Sequence, residues 1–197
     1  MDNWQPKEEK SSKATIIGIL FVMTLVGAGI FFVSSPTKQL LGEGAYSIRG
    51  AFHGLFAGIL MVTMTIGLFQ GFRLWKGSFV NVRELETGSI VNAVICFFTI
   101  VLGNWVYIPY RASGGPRSHF LETAPEIHKI FFEFKEFTAL FTLPLVVATA
   151  YIICQYGERL NLDRRLREMV SLLLILAFFY FVGAFGLGAA ITKLKSV

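Results

Sequence analysis

Polar sequence is scarce in this chain, and that scarcity excludes a soluble domain of ordinary composition. Charged residues make up only 16% of the 197 residues, whereas 54% are hydrophobic. The connections between the apolar runs are short, so no domain outside a membrane is expected. A protein of this kind acts within the membrane or as part of a larger assembly.

Cysteine is also rare. The two cysteines, Cys96 and Cys154, lie inside apolar runs and belong to no CxxC or CxxCH motif. The sequence therefore supports neither covalent attachment of a c-type haem nor a cysteine-bound iron–sulfur cluster. Both residues are expected to be small packing side chains.

Several functional signatures are missing as well. There is no nucleophile–base constellation, phosphate-binding loop or strong metal motif, so the chain is not expected to be an enzyme on its own. No internal repeat is visible, which argues against an inverted-repeat transporter.

A polar stretch precedes the first apolar run and no small-residue cleavage site follows it. This pattern predicts a retained membrane anchor rather than a signal peptide.

What the sequence does contain is a series of apolar runs near or above the ~18–20 residues that cross a bilayer. These runs predict an all-α integral membrane bundle of five transmembrane helices, forming a single domain over residues 1–197. The predicted helices cover approximately residues 14–34, 49–75, 89–110, 124–155 and 167–192.

Basic residues predict the orientation of the bundle. They are concentrated before the first span and after the second and fourth spans, most clearly at Arg164, Arg165 and Arg167. By the positive-inside rule the N-terminus is cytoplasmic and the C-terminus lies outside, most simply in a bacterial inner membrane. The net charge of +5 is spread over short loops. We therefore expect contact with lipid headgroups and no binding of nucleic acid.

The start of the fourth predicted span is unusually rich in ionisable groups. Thr123 is predicted to cap this helix, with Pro125 in its first turn. The helix is longer than the ~30 Å hydrocarbon layer, so its charged start is expected in the outer headgroup zone. Ionisable groups near a bilayer are paired, hydrated or functional. The residues in question are His128, Lys129, Glu133, Lys135 and Glu136.

Histidines suggest one function for this region. His53, His119 and His128 are all expected on the outer side, and two imidazoles from two helices can hold a haem b. His53 and His128 are the candidate axial ligands, although helix lengths place His128 ~7–8 Å higher. Glycines recur beside His53 at positions 50, 54 and 58. They fit close helix packing or room for a flat cofactor, such as a haem or a quinone.

The carboxylates suggest two further interpretations. Glu133 is expected near the depth of His53, so a metal site or proton relay is conceivable, but no ExxH motif supports it. The simpler interpretation is a structural ion network at the membrane surface. Its members would be Arg111, Glu133, Lys135 and Glu136.

The ends of the third and fourth spans resemble a known family. The pattern is Tyr107-x-Pro109-Tyr110-Arg111, followed by Phe132-Glu133-Phe134-Lys135-Glu136. It is similar to an uncharacterised family of bacterial polytopic membrane proteins with YPxYR and FExKE motifs. The resemblance implies a recurring clamp between the two spans and no established activity. Family members often carry a polar residue where this chain has Phe137.

The function expected from the sequence is therefore that of a membrane subunit. The chain would belong to a larger bioenergetic or electron-transfer complex, contact other membrane subunits and lipid, and offer an outer-side site for haem b or quinone. One alternative is a purely structural anchor or assembly subunit without a cofactor. The other is a small transporter or proton pathway.

Overall fold

The computed structural model describes residues 45–194, which form helices and short connections without any β-strand. The helices are α1 (Ala45–Trp75), α2 (Val82–Arg111), α3 (Pro116–Thr123), α4 (Glu133–Tyr156) and α5 (Arg164–Leu194). A π-helical segment, Ile127–Phe132, leads into α4, and a 3-10 turn, Gly157–Arg159, follows it.

Within this part of the chain, four helical segments are long and apolar enough to cross a membrane. They are Ile48–Trp75, Val82–Arg111, Ile127–Arg159 and Arg164–Leu194, each of 28 to 33 residues. At 1.5 Å per residue each is at least ~42 Å long, which exceeds the ~30 Å hydrocarbon layer. Four of the five predicted spans are thus confirmed as helices suited to a membrane. The predicted span 14–34 lies outside the described residues.

The four long helices alternate in direction and form a closed bundle. α1 packs against α2 and α5, and α4 packs against the same two helices. We call the end where α1 and α4 begin the upper end, and the opposite end the lower end. Cys96 is buried in the central core, as expected, whereas Cys154 is exposed. The buried members of that core are Leu60, Met64, Ile95, Cys96, Val146, Ala177 and Phe181.

A second apolar cluster closes the lower end. Its buried members are Leu74, Val80, Leu85, Ile153, Leu160, Val170 and Leu174. The Asn161 side chain joins the two lower connections, because it accepts from the Val80 amide and donates to the Val80 carbonyl, both at 3.2 Å. The cluster and this paired hydrogen bond hold the α1–α2 and α4–α5 turns together.

The start of α2 differs from the sequence prediction by seven residues. α2 begins at Val82 rather than residue 89, because Asn81 caps it by accepting from the Arg83 amide. Charged residues in the first turns of α2 hid this start from the hydropathy pattern.

The start of the fourth span also differs. Thr123 ends α3 instead of capping the next helix, and its hydroxyl donates to the His119 carbonyl. Pro125 explains the break, since a residue before proline is pushed out of the helical region and Ala124 has φ −157°. The segment predicted as a loop therefore contains a short helix, and the long helix resumes after Ala124.

A small, mainly apolar pocket lies where all four long helices meet. It has a volume of about 10 Å³ and is lined by Met64, Gly67, Ser89, Asn92, Val146, Thr149, Leu174 and Ala177. The Asn92 side-chain oxygen is buried and forms no hydrogen bond within the described residues. A Cβ on Gly67 would lie 3.3 Å from Asn92 Nδ2, so glycine gives the amide its room.

Candidate functional site

His53 projects from α1 into the upper half of the bundle. Its Nδ1 lies 3.0 Å from the Thr99 carbonyl oxygen, which can only accept a hydrogen bond. Nδ1 therefore carries the proton in the neutral ring, and Nε2 keeps its lone pair. A Cβ on Gly103 would come within 3.1 Å of His53 Cε1, so glycine at this position makes space for the imidazole.

Lys135 approaches His53 from the opposite side of the bundle. The lysine is partly buried, and its ammonium lies within electrostatic range of the imidazole. Its Cε is 3.5 Å from the position of a Cβ on Gly188, so the side chain extends across to α5. All four long helices thus contribute to one region. We call it the His53 site, consisting of His53, Thr99, Gly103, Lys135 and Gly188.

His128 occupies a separate position in the π-helical segment, where it is only 4% exposed. Arg117 Nε donates to His128 Nε2 at 3.1 Å, and the Tyr110 hydroxyl lies 3.1 Å from Nδ1. A guanidinium can only donate, so Nε2 accepts and Nδ1 carries the proton in the neutral ring. Both ring nitrogens are therefore engaged. We call Tyr110, Arg117, His128 and Phe132 the His128 site.

A stack of aromatic rings consists of Tyr110 and Phe132 of the His128 site together with Tyr107. The rings of Tyr107, Tyr110 and Phe132 are nearly parallel, with the Tyr110 and Phe132 centroids 4.3 Å apart. The Arg111 guanidinium lies 4.2 Å from the Tyr107 ring, and Lys135 Nζ lies 5.1 Å from the Phe132 ring. Two cations thus flank the stack. Such cation–π contacts are favourable where water is excluded.

The residues of the predicted ion network are near one another but form no direct salt bridge among the described residues. Glu136 lies within electrostatic range of Lys135 and Arg111. Arg111 instead stacks on Tyr107, and Glu133 is exposed. The network therefore stays a prediction, and no carboxylate of residues 45–194 is in direct contact with Lys135.

The two candidate haem ligands do not face each other in this arrangement. His53 contacts α2 at Thr99 and Gly103, whereas His128 contacts it at Tyr110. The seven residues from Gly103 to Tyr110 span ~10 Å of helix. Arg117 also covers the His128 Nε2 atom that an iron would need. These side chains as arranged do not fit a bis-histidine haem, and haem b stays a prediction that requires both rings to move.

Sequence reasoning missed three residues of these sites. Thr99 and Gly103 looked like ordinary members of an apolar helix, and only the tertiary structure gives them a role beside His53. Arg117 had a detectable signal: Pro116 after two glycines is a typical helix start, and it predicts α3 and the cation on it. His119 is exposed and belongs to neither site.

We expect Gly103→Leu to destabilise the protein by about 1–3 kcal/mol, because the new side chain would displace the His53 ring from Thr99. Gly54→Leu is the matched control, since no atom of the described residues lies within 4 Å of a Cβ at Gly54. Thermal unfolding of the two purified variants measures the difference. Equal stability of the two would show that Gly103 does not hold the histidine in place.

Comparison with known proteins adds no further assignment. No protein-family model, curated protein or solved structure matches this chain significantly, so a proposal for its function rests on the geometry of the two sites.

Proposed function

We propose that this chain is an integral-membrane subunit of an electron-transfer assembly and that its His53 site binds the headgroup of a quinone. One observation carries the proposal. Among the described residues no carboxylate contacts the partly buried Lys135, and its ammonium lies within electrostatic range of His53, whose Nε2 can accept a hydrogen bond in the neutral ring. Ionisable groups inside a membrane bundle are expensive and usually functional.

The chemistry of a quinone matches these groups. A quinone presents carbonyl oxygens that need donors, and a lysine ammonium supplies up to three. The reduced form presents hydroxyl groups, and His53 Nε2 can accept from one of them. A cation also stabilises the negative charge that accumulates on quinone oxygens during reduction.

Tyr107 adds a further donor near the same end of the bundle. Its hydroxyl is buried. It lies close to Arg111 and Glu136. The flat stack that includes Tyr107 supplies aromatic surface suited to a planar ring.

The wider setting belongs to the same proposal. We place the protein in a bacterial inner membrane, with its N-terminus in the cytoplasm. Its partners are other membrane subunits and lipid, and it binds no nucleic acid. Large apolar side chains exposed on the described helices, such as Phe69, Tyr151 and Phe179, support contact with lipid or neighbouring subunits.

The alternative is a structural subunit without a cofactor. The fully hydrogen-bonded His128 site favours it, because that histidine needs no ligand. Haem b at the upper end is the remaining cofactor proposal. A Soret band in the purified protein that disappears in both His53→Ala and His128→Ala would favour haem over quinone.

Binding of a short-chain ubiquinone tests the proposed function. Quenching of Trp105 fluorescence in a Trp4→Phe/Trp75→Phe background reports occupancy near the upper end. We expect Lys135→Met and His53→Leu each to weaken binding at least tenfold, or about 1.4 kcal/mol, because each removes one polar partner of the headgroup.

His119→Ala is the matched control, since it removes an exposed histidine from the same end of the bundle. It should bind as tightly as the parent protein. Gel filtration establishes that each variant is folded before titration. Identical quenching in all variants, or quenching that never saturates, would show partition into detergent and contradict the site.

A further inference from the structure

A second cavity opens at the lower end, away from the His53 site. It has a volume of about 320 Å³ and lies between the end of α1 and the start of α5. The lining residues are Leu74, Trp75, Lys76, Gly77, Arg164, Arg167 and Glu168. Nothing in the proposed quinone chemistry uses this space.

The shape of the cavity follows from how α1 ends. Gly77 has φ +74°, a left-handed conformation that favours glycine. Its amide donates to the Leu74 carbonyl, and the Ser78 amide donates to the Arg73 carbonyl. This C-terminal cap turns the chain away from the helix axis. The space that a continuing helix would fill is therefore left open beside α5.

The charges around the cavity are mostly positive. Three cations and one carboxylate line it, and the carboxylate, Glu168, is already paired with Arg164 at 2.7 Å. Arg167 uses one nitrogen to donate to the Asn161 carbonyl, while another lies 3.8 Å from the position of a Cβ on Gly77. Among the described residues, no carboxylate pairs with Lys76 or Arg167. The cavity therefore carries excess positive charge over a space large enough for an anionic group.

The location identifies the kind of anion. The cavity lies at the ends of two membrane-length helices, which is where lipid headgroups are found. Trp75 lies at its rim, and tryptophan is enriched at this level of a membrane. Phe72 and Phe79 are both exposed nearby in sequence and offer apolar surface to an acyl chain.

We propose that this cavity binds the phosphate headgroup of an anionic membrane lipid. Lys76 and Arg167 contact the phosphate, and Arg164 contributes through the nitrogens that Glu168 does not use. Clusters of basic residues at the cytoplasmic ends of membrane helices attract anionic lipids in this way. The assignment is independent of the quinone proposal, because the two sites lie at opposite ends of the bundle.

Lipid binding to the full-length protein in neutral detergent tests the proposal. Native mass spectrometry with added phosphatidylglycerol or phosphatidylcholine measures the bound lipid. We expect selective retention of phosphatidylglycerol, and at least a tenfold loss of its affinity in Lys76→Gln/Arg167→Gln. Lys76→Gln alone removes no hydrogen bond of the described fold, and we expect it to weaken binding about threefold.

The matched control is Arg83→Gln/Arg165→Gln, which removes two charges from the same end but none from the cavity lining. It should retain phosphatidylglycerol like the parent protein. Equal losses in the two double variants would indicate a diffuse basic surface and overturn the site. Displacement of the lipid by millimolar inorganic phosphate would overturn it in favour of a soluble anion.

Discussion

Leu160→Ala is expected to lower the free energy of unfolding by about 2–5 kcal/mol. Leu160 is 0% exposed although it lies in the turn between α4 and α5. It packs in the lower cluster with residues from both adjoining helices and from α1 and α2. Truncation would remove apolar contacts from all of these elements and leave a cavity that the closed turn cannot fill.

The same turn provides the control. Leu162 lies two residues further on and is 86% exposed, so Leu162→Ala should change stability by less than about 0.5 kcal/mol. Unfolding of both variants in mixed detergent, followed by circular dichroism, compares them directly. If the two substitutions cost the same, the lower cluster does not pack as described.

Gly115→Ala is expected to cost about 2–3 kcal/mol, because the added methyl group has no free space. Its Cβ would lie 2.6, 2.8 and 2.9 Å from the carbonyl oxygens of Pro109, Tyr110 and Ala112. These are backbone atoms that no rotamer change can move. The turn must therefore open, which displaces α3 and separates Arg117 from His128.

Gly114→Ala separates this steric effect from general strain in the turn. Gly114 has φ +74° but open space around its Cβ position, so alanine there should cost only about 1 kcal/mol. Besides the free energy of unfolding, the rate of trypsin cleavage after Arg117 is a second readout. It should accelerate in Gly115→Ala and change little in Gly114→Ala. Equal cleavage in both variants would show that the turn does not position α3.

Hydropathy alone predicted much of the fold, because the interior and the lipid-facing surface of such a bundle are both apolar. The four described spans were found for this reason, and their alternating directions placed His53 and Lys135 at one end. Because both surfaces are apolar, the sequence does not show which face of each helix points into the bundle. The contact of His53 with Gly103 could therefore not be predicted.

The remaining features depend on polar contacts made after folding. Helix α3 is short and polar, so its signal was only the Gly-Gly-Pro start. The π-helical segment has no established sequence signature, yet it sets the direction of His128. The partners of that histidine decide its tautomer, and they come from two other elements. The nearby carboxylates in the sequence predicted ion pairs for Lys135 and Arg111. In the structure, aromatic rings are the direct contacts of both cations.

The buried side-chain oxygen of Asn92, which forms no hydrogen bond within the described residues, has a consequence for how the helices assemble. Membrane helices insert separately and associate afterwards, and apolar surfaces alone define their relative heights poorly. A one-turn slide of α5 would bring Leu173 or Phe181 to the place of Ala177 in the Asn92 pocket and press the amide against a bulkier apolar side chain. In each shifted arrangement the Asn92 amide would stay buried with less space around it, which costs free energy. The pocket therefore favours one position of α5 along the bundle axis over positions shifted by a helical turn.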